Sequence, residues 1–484
     1  MITFEAYVPS IYINGRWNSA SSRKKTPVRN PATWDILTHV SYGDDIDTTN
    51  AIEAASKAQK QWASLSPRKR SSILYKANQL MKEEEDRLAA ILTMEQGKPL
   101  REAKGEIKSA ASFLLWYAEE ANRLYGEWIP SSIESKRLSV IPQPVGVVGA
   151  ITPWNFPASM ITRKVAPALA AGCAVVLKPA SETPLTAIEI VKILEKAGVP
   201  DGVVNLVTGN SAKIGNALLH HEDVRLITFT GSTEVGKHLM RESADQVKKL
   251  SLELGGHAPI IVFADADLDQ AAEMTLASKF RNSGQTCICA NRVYVEADIW
   301  NEFKQVLVEK VEAMRLGDGL AEEVDMGPLI NEGATDKVHE QVMDALAKGA
   351  EIACGGNLWE GTGKGHYYLP TVLSGVKNDM LVMNEETFGP ILPLQSFTSE
   401  EDAINAANDS EYGLAAYFFT KNLDRSVRVA EKLDYGIIGI NDVFPAVAEA
   451  PFGGIKQSGF GKEGGHHGIH EYVELKYISM GIKN

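Results

Sequence analysis

Cysteine is scarce in this sequence, with 4 in 484 residues. A disulfide framework needs a much denser set, so the small secreted class is excluded and a reducing, cytoplasmic setting is expected. Cys287 and Cys289 stand one residue apart, too close for a zinc knuckle of the usual spacing. Long apolar runs are missing as well. The longest, Val165 to Leu177, is broken by Pro167 and Gly172 and falls short of the roughly 20 residues a membrane-spanning helix needs. The stretch Met1 to Tyr7 lacks the basic start and apolar run of a secretory signal. Blocks of positive charge are absent: 49 lysines and arginines are spread along a chain with 62 acidic residues and a net charge of −13. That balance argues against nucleic acid or an anionic membrane surface as a partner. There is no internal repeat and no low-complexity tract.

What is present, 44% hydrophobic and 23% charged residues, is the composition of a soluble globular protein long enough for two to three domains. Between Asp47 and about Gly97, apolar residues such as Ile73, Leu74, Ala77, Leu80 and Met81 recur at helical spacing and predict two long helices, with Pro67 opening the second. A third helix is expected over roughly 102–125. From Leu138 to Leu254 the pattern changes. Strands over 145–151, 174–178, 203–207, 226–230 and 250–254 alternate with helices over 159–171, 186–197, 212–220 and 233–243. This alternation predicts an α/β fold with a doubly wound parallel sheet, whose ligands bind beyond the carboxyl ends of the strands. After Ala266 a second region follows, with helices over 267–279, 300–315 and 402–408 and strands over 292–296, 414–420 and 437–441. Glycine clusters, including 361–365 and 464–465, mark loops. The run 472–478 alternates like an edge strand of the kind that pairs with another subunit or sheet.

Polar residues gather where the predicted strands end. The first runs into Thr152-Pro153-Trp154-Asn155-Phe156-Pro157, the second into Lys178-Pro179-Ala180-Ser181-Glu182, and the fourth into Thr230-Gly231-Ser232-Thr233. The last is glycine-rich and opens a helix, which suits a pyrophosphate at the helix amino end, although it is not the G-x-G-x-x-G fingerprint. Cys287 lies among small polar residues, in Asn282-Ser283-Gly284-Gln285-Thr286-Cys287. It is the candidate nucleophile, on the expectation that polar, partly open surroundings lower a thiol pKa. Taken alone, a cysteine is more often a small buried hydrophobe. His466, His467 and His470 lie close in sequence, but no further ligand set joins them; a glycine-rich surface loop is expected there and no metal.

Together these stretches resemble the aldehyde dehydrogenase superfamily over essentially the whole chain. The carriers, in the family's order, are Pro153-Trp154-Asn155-Phe156-Pro157, Lys178-Pro179-Ala180-Ser181-Glu182-Thr183-Pro184, Phe229-Thr230-Gly231-Ser232-Thr233, Leu252-Glu253-Leu254-Gly255-Gly256, Gly284-Gln285-Thr286-Cys287, Glu385-Glu386-Thr387-Phe388-Gly389-Pro390 and Pro451-Phe452-Gly453-Gly454. The resemblance implies an NAD(P)-binding domain over 1–120 and 144–252, a catalytic domain over 253–455, and a small β oligomerisation arm over 121–143 and 470–484 serving a homodimer or homotetramer. It implies Cys287 as the nucleophile, Asn155 with the Cys287 backbone N–H as oxyanion donors, and Glu253, in a pocket closed by Gly255-Gly256, as the base for hydrolysis. For the coenzyme it implies contacts from Trp154, Lys178, Gly231, Ser232, Glu386 and Phe388. Where NAD-preferring relatives often carry a glutamate, this chain has Ser181, and a serine tolerates a 2′-phosphate. NADP is therefore expected, with or without NAD.

Within the superfamily the chain is most similar to succinate-semialdehyde dehydrogenases, through Leu92 to Leu100, Ile161-Thr162-Arg163-Lys164, Lys279-Phe280-Arg281-Asn282 and Cys287-Ile288-Cys289-Ala290-Asn291. The resemblance assigns Arg163 and Arg281 to the substrate carboxylate, which a guanidinium holds bidentately. Members often place a serine before Pro-Phe-Gly-Gly; the loop Val443 to Glu449 has no hydroxyl, so glutarate semialdehyde and a broader aldehyde range stay open. Cys289 matches a cysteine that forms a reversible disulfide in some relatives. Two other classes remain: a thiol hydrolase using a histidine such as His257, and a non-catalytic binding protein that keeps the fold.

Overall fold

The computed structural model describes residues 7–361 and 364–483. Residues 1–6, the first part of the stretch scanned for a secretory signal, two residues of the 361–365 loop, and Asn484 lie outside the described residues.

The alternating apolar runs of the first half build an eight-stranded sheet. Its centre is parallel, in the order Val204–Leu206, Ala174–Lys178, Val147–Ile151, Val224–Thr230 and Lys249–Glu253. Ile11–Ile13 and Gly459–Phe460 close its two sides antiparallel. Strands this buried read as continuous β-branched runs because helices cover both faces. Helix Ser159–Ala171 is buried along its whole length. Its first turn is held by Glu106, whose Oε1 accepts the Ala158 N–H at 2.8 Å and the Ser159 N–H at 3.3 Å, and it ends at Gly172 in the left-handed region.

A second sheet of seven strands runs Glu351–Cys354, Thr371–Ser374, Ile391–Phe397, Ala290–Glu296, Ala258–Val262, Ala415–Phe419, Ile437–Ile440. All neighbours are parallel except the first pair. Val473–Gly481 belongs to a third, three-stranded sheet, paired along its length with Lys136–Pro144, which also pairs with Glu127–Ile129. No helix among the described residues is long and apolar enough to cross a membrane.

The helical region before the first sheet differs from expectation in two respects: the helix expected over roughly 102–125 runs Leu100–Glu120, and one more helix than expected precedes it. Two helices were predicted between Asp47 and Gly97, and three are present: Asp45–Ser64, Pro67–Glu83 and Glu85–Gln96. The unexpected break at Glu84 carries no glycine or proline. It falls within four consecutive acidic residues, Glu83 to Asp86, and the Glu84 carboxylate turns aside to pair with Arg87 and Lys196.

The two sheets meet where the site forms. The carboxyl ends of the first sheet deliver Asn155, Lys178, Thr230 and Glu253; the loop entering strand Ala290–Glu296 delivers Cys287. That loop is fixed by backbone geometry. Asn282, Ser283 and Gly284 all have positive φ, and a Cβ on Gly284 would sit 2.2 Å from the Gly389 carbonyl oxygen. Only glycine allows this approach, which presses the nucleophile loop against the loop carrying Glu386 and Phe388.

Candidate active site

Two cavities meet at Cys287, the only residue common to both linings among the described residues. One, of about 320 Å³, is walled by Phe113, Phe156, Met160, Ile288, Ala446, Val447 and Phe452 and carries Arg163, Arg281, Glu102 and Glu106. The other, of about 270 Å³, is lined by Trp154, Asn155, Thr230, Gly231, Ser232, Gly255, Lys337, Glu386 and Phe388. A thiol at their junction can touch a molecule in each.

The thiol is not activated by its surroundings as expected. Burial, then the Glu386 carboxylate, push it up to about 12, and Arg163 only partly offsets them. The flanking residues are polar, but among the described residues no side chain hydrogen-bonds the sulfur. Desolvation therefore outweighs them.

Glu253 also departs from its expected position. The Gly255-Gly256 pair faces Glu386 instead: the Gly256 N–H donates to Glu386 Oε1 at 3.0 Å, and a Cβ on Gly255 would lie 2.9 Å from Glu386 Oε2. Burial raises Glu386 to about 7. Glu253 lies beneath Gly453, where a Cβ would meet its Oε1 at 2.7 Å. Both of its carboxylate oxygens are buried without a hydrogen-bond partner. Burial, then the neighbouring Glu463, hold its carboxyl well above the usual range, against the pull of Arg163 and Lys164. Burial works against Glu463 as well, but Lys164 and Arg163 outweigh it and keep that carboxyl low. The two carboxyls are thus pushed apart, Glu253 upward and Glu463 downward.

Asn155 is buried; its Nδ2 donates to the Gln285 carbonyl at 3.1 Å and its Oδ1 has no hydrogen-bond partner. Arg163 and Arg281 line the Cys287 cavity from opposite origins, one on helix Ser159–Ala171, the other just past Leu268–Phe280. Arg163 Nε lies 3.0 Å from Glu463 Oε2, and the guanidinium stacks 4.0 Å from the Phe452 ring centre. Arg281 sits 5.5 Å from the Phe156 ring and 5.6 Å from the Phe444 ring, with its Nε buried and without a hydrogen-bond partner. Where the loop lacks a hydroxyl, Ala446 and Val447 form an apolar wall.

In the second cavity, Trp154 meets Phe388 edge to face at 5.5 Å, and Phe388 has a φ of 51°. Gly231 needs its missing side chain, since a Cβ would lie 2.3 Å from the Phe229 ring. Ser232 caps helix Thr233–Ser243, accepting the Val235 N–H. Lys178 and Ser181 lie outside this lining. Lys178 is buried at its strand end, bonded to Ser211 Oγ at 2.6 Å, and burial lowers it to about 8 against the pull of Glu182. Ser181 is exposed.

Cys289 is buried, donating to the Gly284 carbonyl at 3.3 Å, with Lys279 Nζ 3.9 Å from its sulfur. His257 lines neither cavity. Burial, then Arg292, push its pKa well below the usual imidazole value; its place outside both cavities leaves the hydrolase arrangement without a base beside the thiol. His466 pairs with Glu120 at 2.9 Å and with His470 at 3.1 Å. Among the described residues no group of three or more His, Cys, Asp or Glu is arranged to hold a metal.

Sequence reasoning missed Glu463, Glu102 and Lys337. Glu463 lies between Lys462 and Gly464, more than two hundred residues from Glu253, so no spacing signal ties the two together. Lys337 stands on an ordinary helical face and reaches the Glu386 carbonyl at 2.6 Å.

The aldehyde dehydrogenase family model matches residues 17–478. The chain belongs to the aldehyde dehydrogenase family. It is 52% identical, over 97% of both chains, to the NADP(+) succinate-semialdehyde dehydrogenase GabD of Escherichia coli. It is 50% identical, again over 97% of both, to a glutarate-semialdehyde dehydrogenase of Pseudomonas putida. The crystal structure of a succinate-semialdehyde dehydrogenase from Burkholderia pseudomallei superposes with a TM-score of 0.96 at 49% identity, covering 98% of each chain. Membership makes this chain an NAD(P)-dependent aldehyde dehydrogenase and removes the thiol hydrolase and non-catalytic classes from consideration.

Proposed function

We propose that the chain oxidises a short semialdehyde with a terminal acid, succinate semialdehyde first, to the dicarboxylate. The observation that carries this reading is Cys287 at the junction of two cavities, one of which is lined by two guanidiniums, Arg163 and Arg281, each with a buried nitrogen that has no hydrogen-bond partner. A carboxylate is the anion whose planar geometry a guanidinium matches.

The second cavity fits a nicotinamide coenzyme on this chain's own features: a glycine that keeps the floor open, a capped helix amino end, an aromatic edge-to-face pair, and Glu386 available for a ribose hydroxyl. When bound there, the coenzyme supplies the hydride acceptor. NADP is the expected form, since Ser181 puts no carboxylate against a 2′-phosphate, and NAD is not excluded by any charge at that position.

Cys287 adds to the aldehyde carbon as a thiolate, its proton passing to water, a loss that the raised thiol pKa makes costly before the sulfur–carbon bond forms. Asn155 has one amide hydrogen committed to Gln285; the other, with the Cys287 N–H, meets the oxyanion. After oxidation a thioester remains on Cys287. Glu253 in its ionised form takes a proton from water for its hydrolysis. Since its carboxyl lines neither cavity, this step requires the side chain to turn toward Cys287.

The eight-stranded sheet is read as the coenzyme-binding domain, the seven-stranded one as the catalytic domain, and the three-stranded one as an arm joining subunits of a dimer or tetramer, in a cytoplasmic enzyme. Initial rates with succinate semialdehyde, glutarate semialdehyde and an uncharged aliphatic aldehyde, each with NAD and NADP, test the reading. A kcat/KM for one of the acid semialdehydes at least about tenfold above the uncharged aldehyde is expected, since one charged contact is worth more than 1.4 kcal/mol. Equal values would remove the carboxylate subsite and leave a general aldehyde dehydrogenase. A glutarate preference would fit the apolar Ala446–Val447 wall instead.

A further inference from the structure

Between the Asn155 loop and the Cys287 loop lies a buried set of side-chain amides that touches neither cavity. Asn282 is at its centre. Its Nδ2 donates to two main-chain carbonyls, Asn155 O at 3.0 Å and Gln285 O at 3.1 Å. Carbonyls only accept, so the amide can face them only through nitrogen, and Oδ1 must point the other way. There it accepts Gln96 Nε2 at 2.7 Å. Gln96 is oriented in turn because its Oε1 accepts the Lys98 N–H at 3.0 Å. The Asn282 N–H goes to Glu102 Oε2 at 2.8 Å, and its carbonyl accepts Gln285 Nε2 at 3.0 Å. Every polar atom of Asn282 is thus used inside the protein, at a residue held at a φ of 52°. A non-glycine residue in the left-handed region carries strain, and it persists here because the surrounding hydrogen bonds over-determine it, as is common at functional sites.

We propose that Asn282 is a positioning residue for the reaction: it fixes the Asn155 amide relative to the Cys287 loop. The Gln285 carbonyl is the shared point, because it accepts both Asn282 Nδ2 and Asn155 Nδ2. Lys98 Nζ completes the clamp by donating to Asn155 O at 2.8 Å. Asn155 cannot rotate to serve an oxyanion differently while both of its ends are held. The inference rests on the reading of Asn155 as an oxyanion donor, since what Asn282 positions matters only if Asn155 meets the reacting carbon's oxygen.

The test is a double-mutant cycle between Asn282→Gly and Asn155→Ala, run with whichever aldehyde the wild type turns over fastest. Glycine tolerates the positive φ, so the variant removes the side chain without adding backbone strain. Asn282→Gly is expected to lower kcat by about tenfold or more while KM for aldehyde and coenzyme stays within about twofold. Alkylation of Cys287 by iodoacetamide, which forms no oxyanion, should keep its wild-type rate. In the Asn155→Ala background the same change should cost little, because the group it positions is gone. Equal fold-losses in both backgrounds, or slowed alkylation, would overturn the proposal and leave Asn282 a structural residue. Should Asn282→Gly fail to fold, Gln96→Leu, which removes the donor to Oδ1 together with the acceptor of the Lys98 N–H, is held to the same two criteria. The substrate reading fails on wild-type rates across the panel, and the positioning reading on the ratio between backgrounds, so either can fall alone.

Discussion

Arg163 and Arg281 face one cavity as unequal cations. Arg163 is bound to Glu463 and stacked on Phe452, so much of its charge is already answered. Both guanidiniums keep buried nitrogens with no hydrogen-bond partner, but Arg163 faces a carboxylate and Arg281 is in no ion pair among the described residues. Leaving such a group unmatched costs more than pairing it with a substrate oxygen. Arg281→Ala is therefore expected to raise KM for the acid semialdehyde about 10- to 100-fold, the range of a lost charged hydrogen bond, with kcat and the rates on an uncharged aldehyde nearly unchanged. Arg163→Ala should lower kcat too, since it also strips a counter-charge from the Glu463 and Glu253 pair. Steady-state kinetics on both variants separates the two roles; identical profiles would contradict the asymmetry.

Glu253 gives a pH signature with a determinate sign. Its folded-state pKa is raised, so its contribution to stability is full below the unfolded carboxylate value and is lost as pH rises through the folded one. Turnover runs the opposite way, because hydrolysis uses the ionised base and grows as pH rises. Glu253→Gln should abolish most turnover and flatten its acid limb. It should also raise the melting temperature relative to wild type, by more at pH about 9 than at about 6. A melting difference independent of pH would show that the carboxyl does not titrate while buried.

At the level of single elements, the helix Ser159–Ala171 that delivers Arg163 and Lys164 begins on a buried ion pair. Glu106 holds its first N–H groups, and Lys98 holds Glu106 at 2.6 Å with both side chains almost fully buried. Burial lowers the Lys98 pKa against the pull of Glu106, a sign that the charge survives there only through its partner. Lys98→Met would leave a buried carboxylate uncompensated and cost about 3–5 kcal/mol, with activity falling because Asn155 O loses a donor. Adding Glu106→Gln should recover part of the stability by removing the orphaned charge. Denaturant unfolding of both variants decides it, and a double variant no better than the single would mean that the cap, not the charge, carries the cost.

The same elements show what could be read in advance. Helices 159–171 and 233–243 and strand 174–178 have the bounds their periodicity predicts, because apolar pattern and glycine or polar stops coincide there. The break at Glu84 had no such stop, since it comes from side-chain pairing across helices. The site divides along the same line. Residues within short motifs, such as Cys287, Glu253 and Asn155, stood out by their neighbours. The environment that sets their pKa values did not, because Glu463 and Glu386 reach them only after two sheets are packed together. Hence the thiol's upward shift reversed an expectation drawn from its local sequence.

For the molecule as a whole, the terminal strand is the feature that a single chain leaves unfinished. Val473–Gly481 pairs on one side with Lys136–Pro144 and lies at the edge of its sheet. Leu475 is 69% exposed, Tyr477 59%, and Trp128 on the same small sheet 65%. An open edge flanked by large apolar side chains is a template for another strand or sheet, and alternation puts Leu475 and Tyr477 on one face. A second subunit covering that face would bury both. The protein is therefore expected to sediment as a dimer or tetramer, and Leu475→Asp with Tyr477→Asp to shift it toward smaller species at micromolar concentration. The strand is anchored beside the eight-stranded sheet: the Tyr472 carbonyl accepts the Val145 N–H at 3.0 Å and the Cys173 thiol at 3.3 Å. Dissociation should consequently lower thermal stability along with particle size. A wild type that sediments as a monomer, or a double variant that keeps its size, would mean that the exposed face is covered by nothing and that the arm has another use.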